Sequence, residues 1–177
     1  MGKNFSIKKV ASSIPIESLS KGIELIKQFE GCILNAYPDP LTGGLPITIG
    51  WGSTKSLTGK PLKLGDTLSQ NEADFLLVQQ LKTEFITVLK NIPYWNEMNE
   101  EMQSALLSFS YNLGAGFYGS NGFNTITKLL AQKKWNEIPE TLKIYRNPGT
   151  SVEMGLLRRR VAEGKLWEDG LKKYFNK

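Results

Sequence analysis

Residues 29–52 read Phe29-Glu30-Gly31-Cys32-Ile33-Leu34-Asn35-Ala36-Tyr37-Pro38-Asp39-Pro40-Leu41-Thr42-Gly43-Gly44-Leu45-Pro46-Ile47-Thr48-Ile49-Gly50-Trp51-Gly52, and this stretch decides the fold. It starts where a helical pattern stops. Upstream, Ile23, Leu25, Ile26 and Phe29 form an apolar stripe, with Ser20 as the expected N-cap and Gly31 as the stop. Glu30 therefore ends a short helix, where the negative end of the helix dipole disfavours an ionised carboxylate. Downstream, residues 35–67 hold Pro38, Pro40, Pro46 and Pro61 among six glycines. No useful helix survives that density of breakers. The runs Ile47-Thr48-Ile49 and Leu62-Lys63-Leu64 predict strands of a small, twisted antiparallel sheet with tight turns.

Beyond this stretch the pattern becomes helical. Ser69-Gln70-Asn71-Glu72 is a capping box that opens a long helix over about 69–91, with Ala73, Leu76, Leu77, Leu81, Val88 and Leu89 at helical spacing. Further helices are expected at about 99–113, 123–133, 135–146 and 152–168, with Pro139 tolerated in a first turn. Residues 1–18 read as an N-terminal arm, and 19–177 as one domain. Within that domain the expectation is α+β and two-lobed. A small sheet lobe (about 31–68) and a larger helical lobe (about 92–177) are joined by the 69–91 helix, with a cleft between them as the default ligand site.

Composition narrows the chemistry. A chain of 177 residues suits one domain and needs no disulfide to hold a core; the single cysteine, Cys32, reads as a buried structural thiol. There is no histidine. That removes histidine-base catalysis and the usual zinc and iron ligand sets, so neither metal nor cofactor is expected. Acid–base work falls to Asp, Glu, Lys or Tyr. The net charge of +5 suits an anionic polymer, a membrane surface or a nucleic acid, and equally a plain solubilising surface. The run Arg158-Arg159-Arg160 reads as a solvated face from which one arginine reaches a site carboxylate. Without interleaved aromatics or a base-reading motif, it does not argue for nucleic acid. No apolar run reaches the ~20 residues of a membrane span, and the first residues lack an apolar signal core. Gly2 and Ser6 fit a short acylation pattern that matches readily by chance. No stable membrane anchor is therefore expected, and the chain reads as made in a reducing cytoplasm.

Glu30, Asp39 and Thr48 stand out chemically. Two carboxylates from separate short elements suit glycoside hydrolysis, in which a carboxylic acid protonates the leaving oxygen and a carboxylate steers water or attacks carbon. The acid needs a raised pKa, and Glu30 beside Phe29 at a helix end has reasons for one. Asp39 in an open turn should stay ionised, and a hydroxyl such as Thr48 can hold a water. The spacing alone is weak, since most Asp and Glu pairs are solvated surface.

The surrounding letters carry more. Phe29-Glu30-Gly31, Ala36-Tyr37-Pro38-Asp39-Pro40 and Thr48-Ile49-Gly50-Trp51-Gly52 resemble the opening of the phage-type lysozymes, glycoside hydrolase family 24, with its Glu, Asp and T-x-G-x-G threonine at Glu30, Asp39 and Thr48. Residues 103–114 resemble that family's central helix, and Gly155-Leu156-Leu157-Arg158-Arg159-Arg160-Val161-Ala162-Glu163 its G-L-x-x-R-R-x-x-E segment. The hairpin between Asp39 and Thr48 is longer than usual in the family, and Ser53 stands where a histidine often follows the T-x-G-x-G. The resemblance implies hydrolysis of the β-1,4 bond between N-acetylmuramic acid and N-acetylglucosamine in bacterial peptidoglycan. Glu30 would be the general acid, with Asp39 and Thr48 positioning water and inverting the anomeric centre. It also implies a monomeric endolysin held in the host cytoplasm and reaching the wall through a holin pore. Tyr111 and Asn112 match the family's cleft floor and read equally as core and cap. Asn124 and Thr125, at the next helix start, read as cleft lining or singly as N-caps. The rival readings are a non-catalytic carbohydrate-binding homologue and a basic helical nucleic-acid-binding protein.

Overall fold

A computed structural model describes residues 14–39 and 42–176. The first described element is a 3-10 turn, Ile16–Leu19, that runs directly into α1 (Ser20–Phe29). Ser20 is therefore the first helical residue and not a cap. Most of the expected arm, residues 1–13, lies outside the described residues. Its described end reaches the core, where Ile16 is buried beside Leu19, the first residue of the domain.

The sheet is a two-stranded antiparallel ribbon, β1 (Ile33–Pro38) and β2 (Ile47–Gly50), pairing Tyr37 with Thr48 and Pro38 with Ile47. An irregularity between Ile33 and Tyr37 breaks the register. Residues 62–64 do not form the expected strand. Pro61 makes only an isolated bridge to Lys55, and glycines at positive φ (Gly59, +75°; Gly65, +95°) turn the chain on either side. Leu62 nonetheless closes a small core with Ile49 and Leu76, against which Ala36, Ile47 and Leu68 pack. Side chains alternate across a strand. Since Ala36, Ile47 and Ile49 face that core, Tyr37 and Thr48 face away from it.

The capping box forms as read. Ser69 Oγ accepts from the Glu72 N–H, and the Glu72 carboxylate accepts from the Ser69 N–H at 2.7 Å. It opens α2 (Gln70–Gln80), which is followed by a π-helical turn, Leu81–Phe85, and α3 (Ile86–Leu89). The connecting helix is thus interrupted, with the Ile86 N–H reaching back to Leu81. Leu76 belongs to the sheet-lobe core while Leu77 and Leu81 belong to the main core, so this one helix is anchored in both.

Helix α4 (Glu100–Leu113) is buried at every residue from Glu101 to Ser110, with α1, α3 and the later C-terminal helix packed on it. Asn99 caps it through the Met102 N–H, and Gly114 at φ +103° stops it. Next come α5 (Asn124–Ala131), a 3-10 turn Trp135–Glu137 and a short α6 (Ile138–Leu142), so the helices expected at 123–133 and 135–146 are shorter than read. Lys133 at φ +56° ends the first of these. Helix α7 (Glu153–Phe175) runs past the expected end at 168. Gly170 does not break it. A Cβ there would lie 2.7 Å from Asn99 Oδ1 and from Met102 Cγ, so the missing side chain serves contact with α4. Trp135 and Trp167 are core.

Candidate active site

Glu30 caps the C-terminal end of α1 in extended conformation, its own N–H bonded to the Ile26 carbonyl. Its side chain keeps 29% of its exposure and opens onto a groove of about 700 Å³. Phe29, Asn112, Arg158 and Arg159 share that lining, with the first turn of α7 forming the far wall. Arg159 Nη1 donates to Glu30 Oε1 at 2.5 Å.

That contact corrects the sequence reading twice. Glu30 meets a guanidinium where an apolar or anionic setting was expected. The arginine run is also not a solvated face, because only Arg158 is exposed while Arg159 and Arg160 are buried. They are buried because α7 lies along α4, and burial is tolerated because each is paired with a carboxylate. An arginine does reach a site carboxylate, as expected.

Asp39 follows β1 and opens the hairpin. Its N–H donates to the Gly44 carbonyl (3.1 Å), and its carbonyl accepts from the Gly43 N–H (2.7 Å). Thr48 sits in β2 opposite Tyr37. Tyr37, which carries no role in the sequence reading, reports on both carboxylates. Burial pushes its phenol up, and the charges of Glu30 and then Asp39 push it further. Thr48 and Tyr37 pair across the ribbon, and Asp39 follows directly after the Pro38–Ile47 pair.

Tyr111 is a tie between lobes. Its hydroxyl donates to the Trp51 carbonyl at 2.7 Å, and its ring lies 5.2 Å from that of Phe85 in the π turn. Burial, with Glu30 adding, raises its phenol pKa. Trp51 packs on the main core and is clamped from its other side. Its indole donates to Asp74 Oδ1 (2.8 Å), and Lys27, paired with Asp74 at 2.6 Å, lies over its ring. Asn112 shares the groove with Glu30, and its Oδ1 is buried without a hydrogen-bond partner among the described residues. Asn124 and Thr125 are exposed at the start of α5 and do not line that groove; Phe123, not either of them, holds the N-cap position. Cys32 is half-buried where full burial was expected, with the Gln70 amide 3.7 Å from its sulfur. Among the described residues no cluster of three or more His, Cys, Asp or Glu could hold a metal ion, and no helix is long and apolar enough to cross a membrane.

A family model described as phage lysozyme matches residues 27–163. The chain belongs to the phage lysozyme family. The match begins just before Glu30 and ends on Glu163, so it takes in both ends of the ion-paired layer beneath the groove. An endolysin of Lactococcus phage c2 is 32% identical over 142 residues, which cover 80% of this chain but only 56% of that protein. The chain thus spans little more than half the length of that relative. An endolysin from Acyrthosiphon pisum secondary endosymbiont phage 1 is 29% identical over 157 residues, covering 84% of this chain and 95% of its own length. Among solved structures, a mutant of phage P22 lysozyme superposes with a TM-score of 0.68 at 26% identity, covering 84% of this chain and 96% of that one. An endolysin from the Escherichia coli phage FAHEc1 gives 0.66 at 26% identity over 84% and 91%. The α+β architecture expected from the sequence is that of these phage lysozymes.

Proposed function

We propose that the chain is an endolysin-type lysozyme that hydrolyses the β-1,4 bond between N-acetylmuramic acid and N-acetylglucosamine in bacterial peptidoglycan. Glu30 is the general acid. Asp39, with the Thr48 hydroxyl, positions a water on the opposite face of the sugar, which inverts the anomeric centre. The observation that carries this reading is the groove of about 700 Å³ onto which Glu30 opens, in a chain whose residues 27–163 match the phage lysozyme family. Asp39 and Thr48 come from the neighbouring hairpin, where Thr48 pairs with Tyr37 and Asp39 follows the Pro38–Ile47 pair. The groove at Glu30 supplies room for a saccharide, and the unpartnered Asn112 Oδ1 supplies an acceptor for a sugar amide N–H. Tyr111 supports this subsite through its bond to Trp51 and does not itself read the sugar. Asn124 and Thr125 are left as outer contacts for a longer glycan.

The enzyme acts as a monomer, since its groove must admit a polymer, and it waits in the host cytoplasm for a holin pore. The endolysins it resembles are the support for that placement. Lysis of cells expressing the chain with no holin would contradict it. The nucleic-acid reading loses support, because two of the three arginines in the run Arg158-Arg159-Arg160 are buried and unavailable to phosphate.

The deciding assay is release of reducing ends from purified peptidoglycan. Glu30→Gln is expected to abolish it and Asp39→Asn to reduce it severely, both with unchanged circular dichroism. A folded wild type that binds peptidoglycan and releases no reducing ends would establish the non-catalytic homologue instead. Proton NMR of the first product reads the anomer, with α expected from inversion.

A further inference from the structure

Beneath the groove lies a layer of charge that the proposed mechanism does not use. Glu163, on α7, is fully buried. Its Oε1 accepts from Ser108 Oγ (2.8 Å), Arg160 Nη2 (2.9 Å) and Arg159 Nε (3.2 Å), and its Oε2 lies 2.7 Å from Arg160 Nε. Arg159 is held at all three nitrogens. Nε is on Glu163, Nη2 on the Ser108 carbonyl (3.1 Å) and Nη1 on Glu30. One guanidinium thus bridges a buried carboxylate and the carboxylate at the groove.

We propose that Glu163 is a positioning residue for Glu30, acting through Arg159: it fixes the guanidinium and takes up part of its charge, so that Glu30 can carry the proton that cleavage requires. The proposal rests on the assignment of Glu30 as general acid. A guanidinium facing a single carboxylate favours the ionised form of that carboxylate, whereas one shared between two favours each less. The other charged or titratable groups around this layer are Arg158 and Arg160 on α7, Tyr111 on α4, Glu84 in the π turn, which acts on Tyr111, and Tyr37 on the sheet lobe, which Asp39 acts on in turn. Helix α6 meets α7 at Gly164 through the apolar Pro139, and its Glu140 pairs with Lys143. Burial pushes the Glu163 carboxyl up, and Arg160, Ser108 and Arg159 pull it back.

The test is the pH profile of reducing-end release. A general acid must be protonated, so its titration sets the alkaline limb. In Glu163→Gln the full charge of Arg159 faces Glu30, and the limb is expected to move down by about one pH unit. Glu163→Asp keeps the charge, and its limb should stay near that of wild type. Removing one member of a buried pair is costly, whereas replacing both is tolerated. The double variant Glu163→Gln with Arg160→Met is the fallback where the single one does not fold; Arg159 then faces Glu30 alone, but the loss of the Arg160 cation offsets part of the effect, so its limb moves down by less than that of the single variant. A merely structural Glu163 would change stability and maximal rate while leaving the limb in place. An unmoved limb in either folded variant, on an active wild type, overturns this proposal alone. A wild type that releases nothing overturns the lysozyme reading and takes this proposal with it.

Discussion

Gly22 lies in the first turn of α1, just after the 3-10 turn that leads into it and where the helix packs on α4, and replacing it with alanine should loosen the fold and the active site together. A Cβ at this position would lie 2.8 Å from the Ser104 carbonyl oxygen, 2.9 Å from its Cα and 3.1 Å from its Cβ. Comfortable contacts between carbon atoms need about 3.5 Å. Two of those three atoms are backbone of a buried helix, so no side chain can swing aside and α1 itself must lift. Two effects oppose each other. Alanine gains at most about 1 kcal/mol over a helical glycine. Overpacking costs about 1–3 kcal/mol, and contact against rigid backbone places this case at or beyond the upper end. The net expectation is a loss of about 2 kcal/mol, or about 4–8 °C in Tm for a domain of this size. Gly155 is the control. It is also helical, has nothing within 4 Å of its would-be Cβ, and should gain about 0.5–1 kcal/mol as alanine. Urea titrations followed by circular dichroism measure both. Because Glu30 ends the helix that Gly22 seats, reducing-end release at a temperature where Gly22→Ala is still folded should also fall. A Gly22→Ala midpoint at or above that of wild type would refute the argument that α1 rests directly on the backbone of α4.

Arg159→Met leaves Glu30 without its 2.5 Å partner and removes one of two cations from buried Glu163; a loss of about 3 kcal/mol in urea titration is expected, with reducing-end release falling well beyond what that loss explains at 25 °C. Glu101 gives the fold an acid-sensitive tie. Burial alone would raise its carboxyl, but Lys173 and Lys21 outweigh burial and hold it down at about 2, below the ordinary 4.5. A depressed folded-state pKa means stability that is present above pH ~4.5 and lost as pH falls toward 2. Thermal melts between pH 6 and pH 2 should show that loss, and Glu101→Gln should flatten the curve. The net charge of +5 should aid attachment to an anionic wall, so lysis of whole cells should fall as salt rises while cleavage of a short uncharged glycan does not. Equal salt sensitivity of both substrates would count against that role for the charge.

The parts of the fold that announce themselves in the sequence are those whose residues have strong local reasons. Ser69 and Glu72 cap a helix wherever they stand before an apolar stripe, and they do so here. The density of proline and glycine over 35–67 excludes helix for reasons that need no tertiary context. What failed to read was set by distant partners. Leu62-Lys63-Leu64 has the letters of a strand but only an isolated bridge beside it, so nothing pairs along its length. The π turn at Leu81–Phe85 leaves no mark in the hydrophobic spacing. Gly170 looks like a stop and is instead a point of close approach to Asn99 and Met102. Gly22 sent the same kind of signal, as a glycine inside an otherwise good helix, and the reason for it lies 82 positions away at Ser104.

The candidate site divides along the same line. Glu30, Asp39 and Thr48 could be picked out because they sit beside breaks in regular structure, at a helix end, in a turn and in a short strand. Arg159 and Glu163 were harder, because a triple arginine reads as surface by composition. Periodicity pointed the other way. Arg160, Glu163, Trp167 and Leu171 recur at spacings of three and four, which place them on one helical stripe. Trp167 on that stripe is core, and its charged neighbours Arg160 and Glu163 are buried with it. Charges on a buried stripe persist only when they are paired, and the pairs available are an arginine with a carboxylate. The buried stripe therefore carries an internal ion network, which the reading of the arginine run as a solvated face missed. Position 159, one residue aside, is turned about 100° from Arg160 on the same helix, and this is why Arg159 reaches past the stripe to Glu30 while Arg160 stays with Glu163.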